Sequence, residues 1–244
     1  MDPASRTVMP RCRRPNLAGL VVHVLNRSVR RVQLFSDNPD YEVFEHALVE
    51  ARRRFQLRLL AFCVMPNHWH MLAWPRDNAE LSRFMQLLTV KHASRWHASR
   101  GTGGTGHVYQ GRFKCFPIQS DDHLLRAYRY VERNALRANL VARAEDWRWG
   151  SLWHRIHGDP SGLLSEGPVE LPDDWVRVVN EAQSPAELAA LRRSVEFGTP
   201  FGSKEWTLAA AARLGLASTL RPRGRPLKPR AEESDDAPGG VSSR

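Results

Sequence analysis

Cysteine is scarce in this chain. Only Cys12, Cys63 and Cys115 occur among 244 residues. None forms a Cys-x-x-Cys spacing, so neither a disulfide framework nor zinc-ribbon chemistry is expected. Long apolar runs are missing as well: nothing reaches the roughly 18 residues needed for a membrane-spanning helix. The opening residues, MDPASRTVMPRCRRP, lack the apolar core of a secretory signal. The glycine-rich stretch GTGGTGH (101–107) has no following Gly-Lys-Ser or Gly-Lys-Thr, and no strand leads into it, so no bound nucleotide is expected. These absences point to a reducing, cytoplasmic setting. Acidic residues are also in deficit: 26 Asp and Glu face 36 Lys and Arg, a formal net charge of +10. Such a balance favours polyanionic partners, most simply nucleic acid, and with them a nucleoid-associated location.

What is present reads as an ordered series of elements. GLVVHVLNRS (19–28) is apolar and β-branched, the pattern of a strand. A helix follows, capped by Asp37 or Asn38, with Tyr41, Phe44, Leu48, Ala51 and Phe55 at helical spacing. Residues 57–66 and 67–75 read as two strands joined at Pro66-Asn67 in a hairpin. Residues 79–99 read as a second amphipathic helix. GRFKCFPIQ (111–119) reads as a fourth strand, with Pro117 suggesting a sheet edge. Residues 120–141 read as a strong helix with Ser120 as N-cap. The order strand–helix–strand–strand–helix–strand, then helix, is a ferredoxin-like split βαβ arrangement. The expected class is therefore α+β, an antiparallel sheet with helices packed on one face. Four regions are expected: a basic disordered tail (1–15), the main domain (16–157), a helical extension (158–220) with a capping box at SPAE (184–187), and a tail (221–244) too poor in core residues to fold when free.

Chemistry concentrates in MPNHWHML (65–72). Side chains alternate along a strand, so His68 and His70 share a face while Trp69 points to the other. Two imidazoles on one face can hold one divalent metal. Tyr130 and Asn134, four residues apart on a helix, also share a face, and Asn134 offers an amide oxygen. A tyrosine beside such a metal can attack a phosphate covalently, without ATP. Spacing alone serves equally a Tyr130 that packs in the core. Tyr128, with Glu132 as its own i+4 partner, is a rival, about 200° around the helix from Tyr130. Arg27, Gln110, Arg112 and Lys114 are candidate phosphate contacts, and His107 a loop or DNA contact. Trp147, Trp149 and Trp153 are expected to pack rather than stack on bases. PRGRP (222–226) has the form of an AT-hook, with Arg223 and Arg225 flanking a glycine for a narrow minor groove.

Three separated stretches carry a family resemblance. MPNHWHML resembles the His-hydrophobic-His (HUH) motif of single-tyrosine nucleases and transposases. HVYQGRFKCFPIQSDDHLLRAYRYVERNALRANLV resembles the second half of REP-associated tyrosine transposases, relatives of the insertion-sequence 200/605 transposases. GLVVHVLNRSV resembles their opening strand. The resemblance covers about residues 16–155. It implies an HUH endonuclease fold, with single-stranded and hairpin DNA from repetitive extragenic palindromes as partner. It implies cleavage and rejoining through a 5′-phosphotyrosine, with Tyr130 as nucleophile and His68, His70 and Asn134 holding Mg²⁺ or Mn²⁺. It implies a monomer or a homodimer. The family usually has Pro after the Asn. Ala135 stands here instead, and as a good helix former it predicts an unkinked helix. Two other readings remain: a DNA-hairpin-binding protein that does not cut, and a metal phosphoesterase in which water attacks.

Overall fold

A computed structural model describes residues 15–221. The expectations for the tails, including PRGRP with Arg223 and Arg225, lie outside the described residues. The sheet consists of β1 (Val21–Arg27), β2 (Arg58–Met65), β3 (His68–Trp74) and β4 (Lys114–Ile118). Its order is β2-β3-β1-β4 and every pairing is antiparallel, which is the split βαβ topology. β1 and β3, the strands with candidate site residues, lie at the centre. β4 begins three residues later than the pattern suggested. It holds Pro117 at an edge, where a missing N–H is tolerated.

Two helices make the crossovers. α1 (Asn38–Phe55) starts at Asp37, whose carboxylate accepts from Asp40 N, and ends at Gln56 in the left-handed region (φ 52°). α2 (Glu80–Arg100) is preceded by Asp77, which accepts from the backbone of Ala79 and Glu80, and ends at Gly101 (φ 62°). Both pack on one face of the sheet. Phe44, Leu48, Phe84 and Leu88 meet Val22, Val24, Trp69 and Met71 there. Trp149 stacks on Tyr41, with centroids 4.9 Å apart, and Trp147 Nε1 donates to Val64 O, so these two indoles pack as expected.

The other face is covered too, contrary to the one-sided expectation. α3 (Asp122–Glu132) lies across it, and Leu124, Ala127, Tyr128 and Val131 meet Val21, Leu25, Leu60 and Phe116. A register irregularity between Leu59 and Ala61 turns both Leu60 and Ala61 toward this side. Burial on both faces explains the nearly unbroken apolar runs of β1 and β2, which alternation on a half-exposed sheet would not produce.

The second layer is completed by α5 (Ser151–His157), which ends the main domain, and by α6 (Trp175–Asn180), α7 (Pro185–Phe197) and α8 (Lys204–Arg213) of the C-terminal extension. Its anchor is Glu132. That buried carboxylate accepts from Ser151 Oγ (2.6 Å), Arg155 Nε (3.0 Å) and Trp175 Nε1 (2.6 Å). The chain beyond α3 also bonds to both sheet edges. Gly150 and Leu164 bridge to β2, and Phe201 bridges to Ile118 of β4, donating its N–H to Pro117 O. Such bonds shorten the ladder that either edge offers to another chain.

The helix after β4 departs from expectation at both ends. Asp121, not Ser120, is the cap and accepts from His123 N. The helix also stops at Glu132 rather than running unkinked to 141. A separate turn, α4 (Asn134–Arg137), follows a flattened Arg133 (φ −81°, ψ −3°). No proline or glycine causes the break. Glu132 is drawn toward Ser151, Arg155 and Trp175, while the Arg133 guanidinium donates to Val179 O and Asn180 O. Tertiary bonds thus override the propensity of Ala135.

Candidate active site

The site sits on the α3 face, at the end of the central strands. Alternation on β3 puts His68 and His70 there and buries Trp69 on the other side, where Nε1 donates to Tyr109 Oη. The two imidazole centroids are 5.1 Å apart and nearly perpendicular. Two imidazoles sharing one ion at about 2.1 Å would have centroids near this spacing, ~5 Å apart. His68 Nδ1 bonds Asn67 Oδ1 at 2.7 Å, and His70 Nδ1 bonds His23 Nε2 at 2.8 Å. Each ring therefore keeps Nε2 for another partner, and a fixed second nitrogen is the usual companion of a metal-binding histidine.

His23 was not anticipated. It lies on β1 with Leu25 and Arg27 on the same face, and Leu25 pairs with His70. Parity along VVHVLNR, combined with the β1–β3 pairing of the split βαβ order, is the signal that would have found it. Burial pushes its imidazole down to about 3 and that of His68 to about 4. His70 is lowered by burial and then by its histidine and arginine neighbours. All three rings are thus neutral at physiological pH, the form that binds a cation.

Tyr130 faces this cluster. Its ring centroid is 5.8 Å from His70 and 6.0 Å from His23, edge-on to both. Tyr128 does not join it. Its ring is edge-on to Trp175 at 6.3 Å, and a Cβ at Gly167 would sit 2.5 Å from its hydroxyl. Burial raises that phenol above its usual range. Glu132, the i+4 partner of Tyr128, is occupied as the anchor of the extension.

Asn134 is buried one turn beyond Tyr130. Its Oδ1 accepts from Arg137 Nη2 at 2.7 Å, and its Nδ2 has no partner among the described residues. Arg137, which sequence reasoning missed as a site residue, lies with its guanidinium 4.2 Å from the Tyr130 ring centroid. Among the described residues no three His, Cys, Asp or Glu side chains form a metal-holding group, so any ion here would need Asn134 or exogenous oxygens beside the histidines.

The predicted phosphate contacts divide. Arg27 is half-buried beside His68 and interacts electrostatically with Tyr130. Lys114 pairs with Leu25, which puts it on the same face in the row of His70, exposed. Gln110 and Arg112 instead line a groove of about 930 Å³ between α2 and the 107–113 segment, together with His107, Asn78 and Gln86. Arg112 precedes β4 and so does not share a strand face with Lys114.

No curated protein matches this chain. Among solved structures, a REP-associated tyrosine transposase bound to a REP hairpin superposes with a TM-score of 0.50 at 19% identity, over 72% of this chain and 99% of that one. A protein described as a transposase from Deinococcus radiodurans R1 aligns with a TM-score of 0.33 at 18% identity, over 48% of this chain and 86% of that one. The first likeness bears on the fold, which it shares. No described helix is long and apolar enough to cross a membrane. The family model for IS200-like transposases matches residues 16–134, the span from the approach to β1 through both histidines and Tyr130 to Asn134, and over that span the chain is similar to that family.

Proposed function

We propose that this chain is a metal-dependent endonuclease and strand transferase for single-stranded DNA next to hairpins of the REP type. Tyr130 is its nucleophile. The observation that carries this reading is the meeting of Tyr130 with His70, one of two neighbouring neutral histidines whose Nε2 atoms are uncommitted. His68 and His70 would hold Mg²⁺ or Mn²⁺. Asn134 Oδ1, with one lone pair given to Arg137, has another for the third position implied by the family resemblance. When bound, the ion would polarise a phosphate oxygen and offset developing charge.

The chain's own groups supply the rest. His70 presents the Nε2 lone pair when its Nδ1 proton is given to His23 Nε2, so His23 sets the tautomer. That arrangement leaves a proton on His23 Nδ1, a buried atom without a partner among the described residues, a cost that a ligated Nε2 offsets. Tyr130 Oη attacks phosphorus, the P–O3′ bond breaks, and the phenol proton passes to solvent while the 3′ oxygen gains one. The DNA stays joined through its 5′ phosphate, with bond energy kept for rejoining. Arg27 and Lys114, on the same face, supply positive charge along the strand.

Hairpin oligonucleotides drawn from palindromes beside the gene, incubated with Mn²⁺ or Mg²⁺, test the proposal on denaturing protein gels. A DNA–protein adduct is expected in wild type and Tyr128→Phe, and none in Tyr130→Phe or His68→Ala. Cleavage without adduct, surviving in Tyr130→Phe, would mean that water attacks. Binding without cleavage in any variant would mean a hairpin-binding protein.

A further inference from the structure

Arg137 and Asn134 are arranged for more than holding a metal. Arg137 Nη2 donates to Asn134 Oδ1 at 2.7 Å, Nη1 reaches the Tyr130 carbonyl at 3.5 Å, and the guanidinium lies 4.2 Å from the Tyr130 ring centroid. The arginine is half-buried and forms no ion pair among the described residues. Its cationic neighbours are Arg192 and Arg133, which repel it. Arg27, also without a carboxylate partner, lies close enough to influence Tyr130 and His68. Beside this excess of positive charge, Asn134 Nδ2 is a buried donor without an acceptor among the described residues. Buried amide donors rarely stay unpaired, so Nδ2 is open to an acceptor that arrives with a ligand.

We propose that Arg137 and Asn134 Nδ2 form a clamp for the scissile phosphodiester, with Arg137 a catalytic residue that neutralises the phosphate as Tyr130 Oη attacks. This rests on the strand-transfer reading above. The Arg137–Asn134 bond aims the amide: with Oδ1 held by the guanidinium, Nδ2 is presented as the donor. One phosphate oxygen then takes Nδ2 and another takes the guanidinium fork. No proton leaves either group. The only bonds exchanged are P–O3′ for P–Oη. Asn134 thus acts on the phosphate through its nitrogen, whatever its oxygen does for the metal.

The test uses the full chain and a hairpin oligonucleotide whose cleaved linkage is first mapped with wild type. Asn134→Asp separates the two roles of the side chain, because it keeps an oxygen for the ion and removes the donor. Adduct formation should slow about 100- to 1,000-fold in Arg137→Gln, the usual cost of losing one donor to a developing oxyanion, and fall markedly in Asn134→Asp. Mn²⁺ binding without DNA, followed by the electron paramagnetic resonance signal of the free ion, should stay at the wild-type level in Arg137→Gln and be equal or tighter in Asn134→Asp. Arg137→Lys should recover part of the rate, since it returns the charge without the fork. Thermal melts confirm that each variant is folded. Wild-type rates in Arg137→Gln would overturn the clamp while leaving Tyr130 chemistry standing. Rate losses that merely follow lost Mn²⁺ affinity would overturn it as well. If wild type forms no adduct at all, the strand-transfer reading fails and the clamp falls with it.

Discussion

The placement of Tyr128 can be tested without any DNA. Its hydroxyl points at Gly167, and a Cβ built there would lie 2.5 Å from Oη. The next atoms are Tyr128 Cζ at 3.6 Å and Leu60 Cδ1 at 3.7 Å, both ordinary contacts. The tyrosine ring is 1% exposed, so it has little room to move aside. Gly167→Ala should therefore cost about 1–3 kcal/mol through overpacking. In a Tyr128→Phe background the colliding atom is gone. The same substitution should then be close to neutral, or stabilising by up to about 1 kcal/mol through reduced entropy of the unfolded chain. The double-mutant cycle predicts a coupling of about 2 kcal/mol, within the usual range for touching residues. Urea unfolding of the four proteins measures it. Equal destabilisation by Gly167→Ala in both backgrounds would show that the phenol lies elsewhere, and would reopen Tyr128 as the attacking residue.

Further outcomes follow from buried polar groups. Glu132→Ala strands Ser151, Arg155 and Trp175 together and should cost about 3–5 kcal/mol in urea unfolding, as breaking a buried pair does. Glu132→Gln, which keeps the volume, should cost less. His92 is pushed down to about 3 by burial and bonds Tyr109 Oη at 2.8 Å. The unfolded chain therefore takes up a proton near pH 6.5 that the folded chain refuses, so stability is lost as pH falls from about 6.5 toward 3. His92→Gln, which retains an acceptor for Tyr109, should flatten that slope by about 1.4 kcal/mol per pH unit across the window. An unchanged slope in unfolding titrations would mean that His92 is accessible to protons in the folded state.

Much of this arrangement was legible before any coordinates. The succession of β-branched runs and helical stripes leads to the split βαβ order, and strand parity alone puts His68 and His70 together with Trp69 opposite. The parts that were missed share a cause. The two-sided cover of the sheet is written in LLAFCVM, a run too continuous for a half-exposed strand, although periodicity alone identifies it only as a strand. The break at Arg133 has no local signature, because it depends on Ser151, Arg155, Trp175 and the α6 carbonyls, all distant in sequence. His23 and Arg137 come beside the candidate site residues only through strand pairing and through the turn that follows the break. Chemistry carried by one segment could be read from its spacing, whereas chemistry assembled between segments needed the fold.

The bonding of both sheet edges by the chain beyond α3 also sets a timetable for synthesis. β4 leaves the ribosome long before Phe201, the residue that bonds to its outer edge. At about 5–20 residues per second, the roughly 80 residues between them take ~4–16 s to make. During that interval the nascent sheet has a complete set of strands and an open ladder. It is then most exposed to pairing with a neighbouring nascent chain, so truncation before Phe201 should be paid for in solubility before it is felt in catalysis.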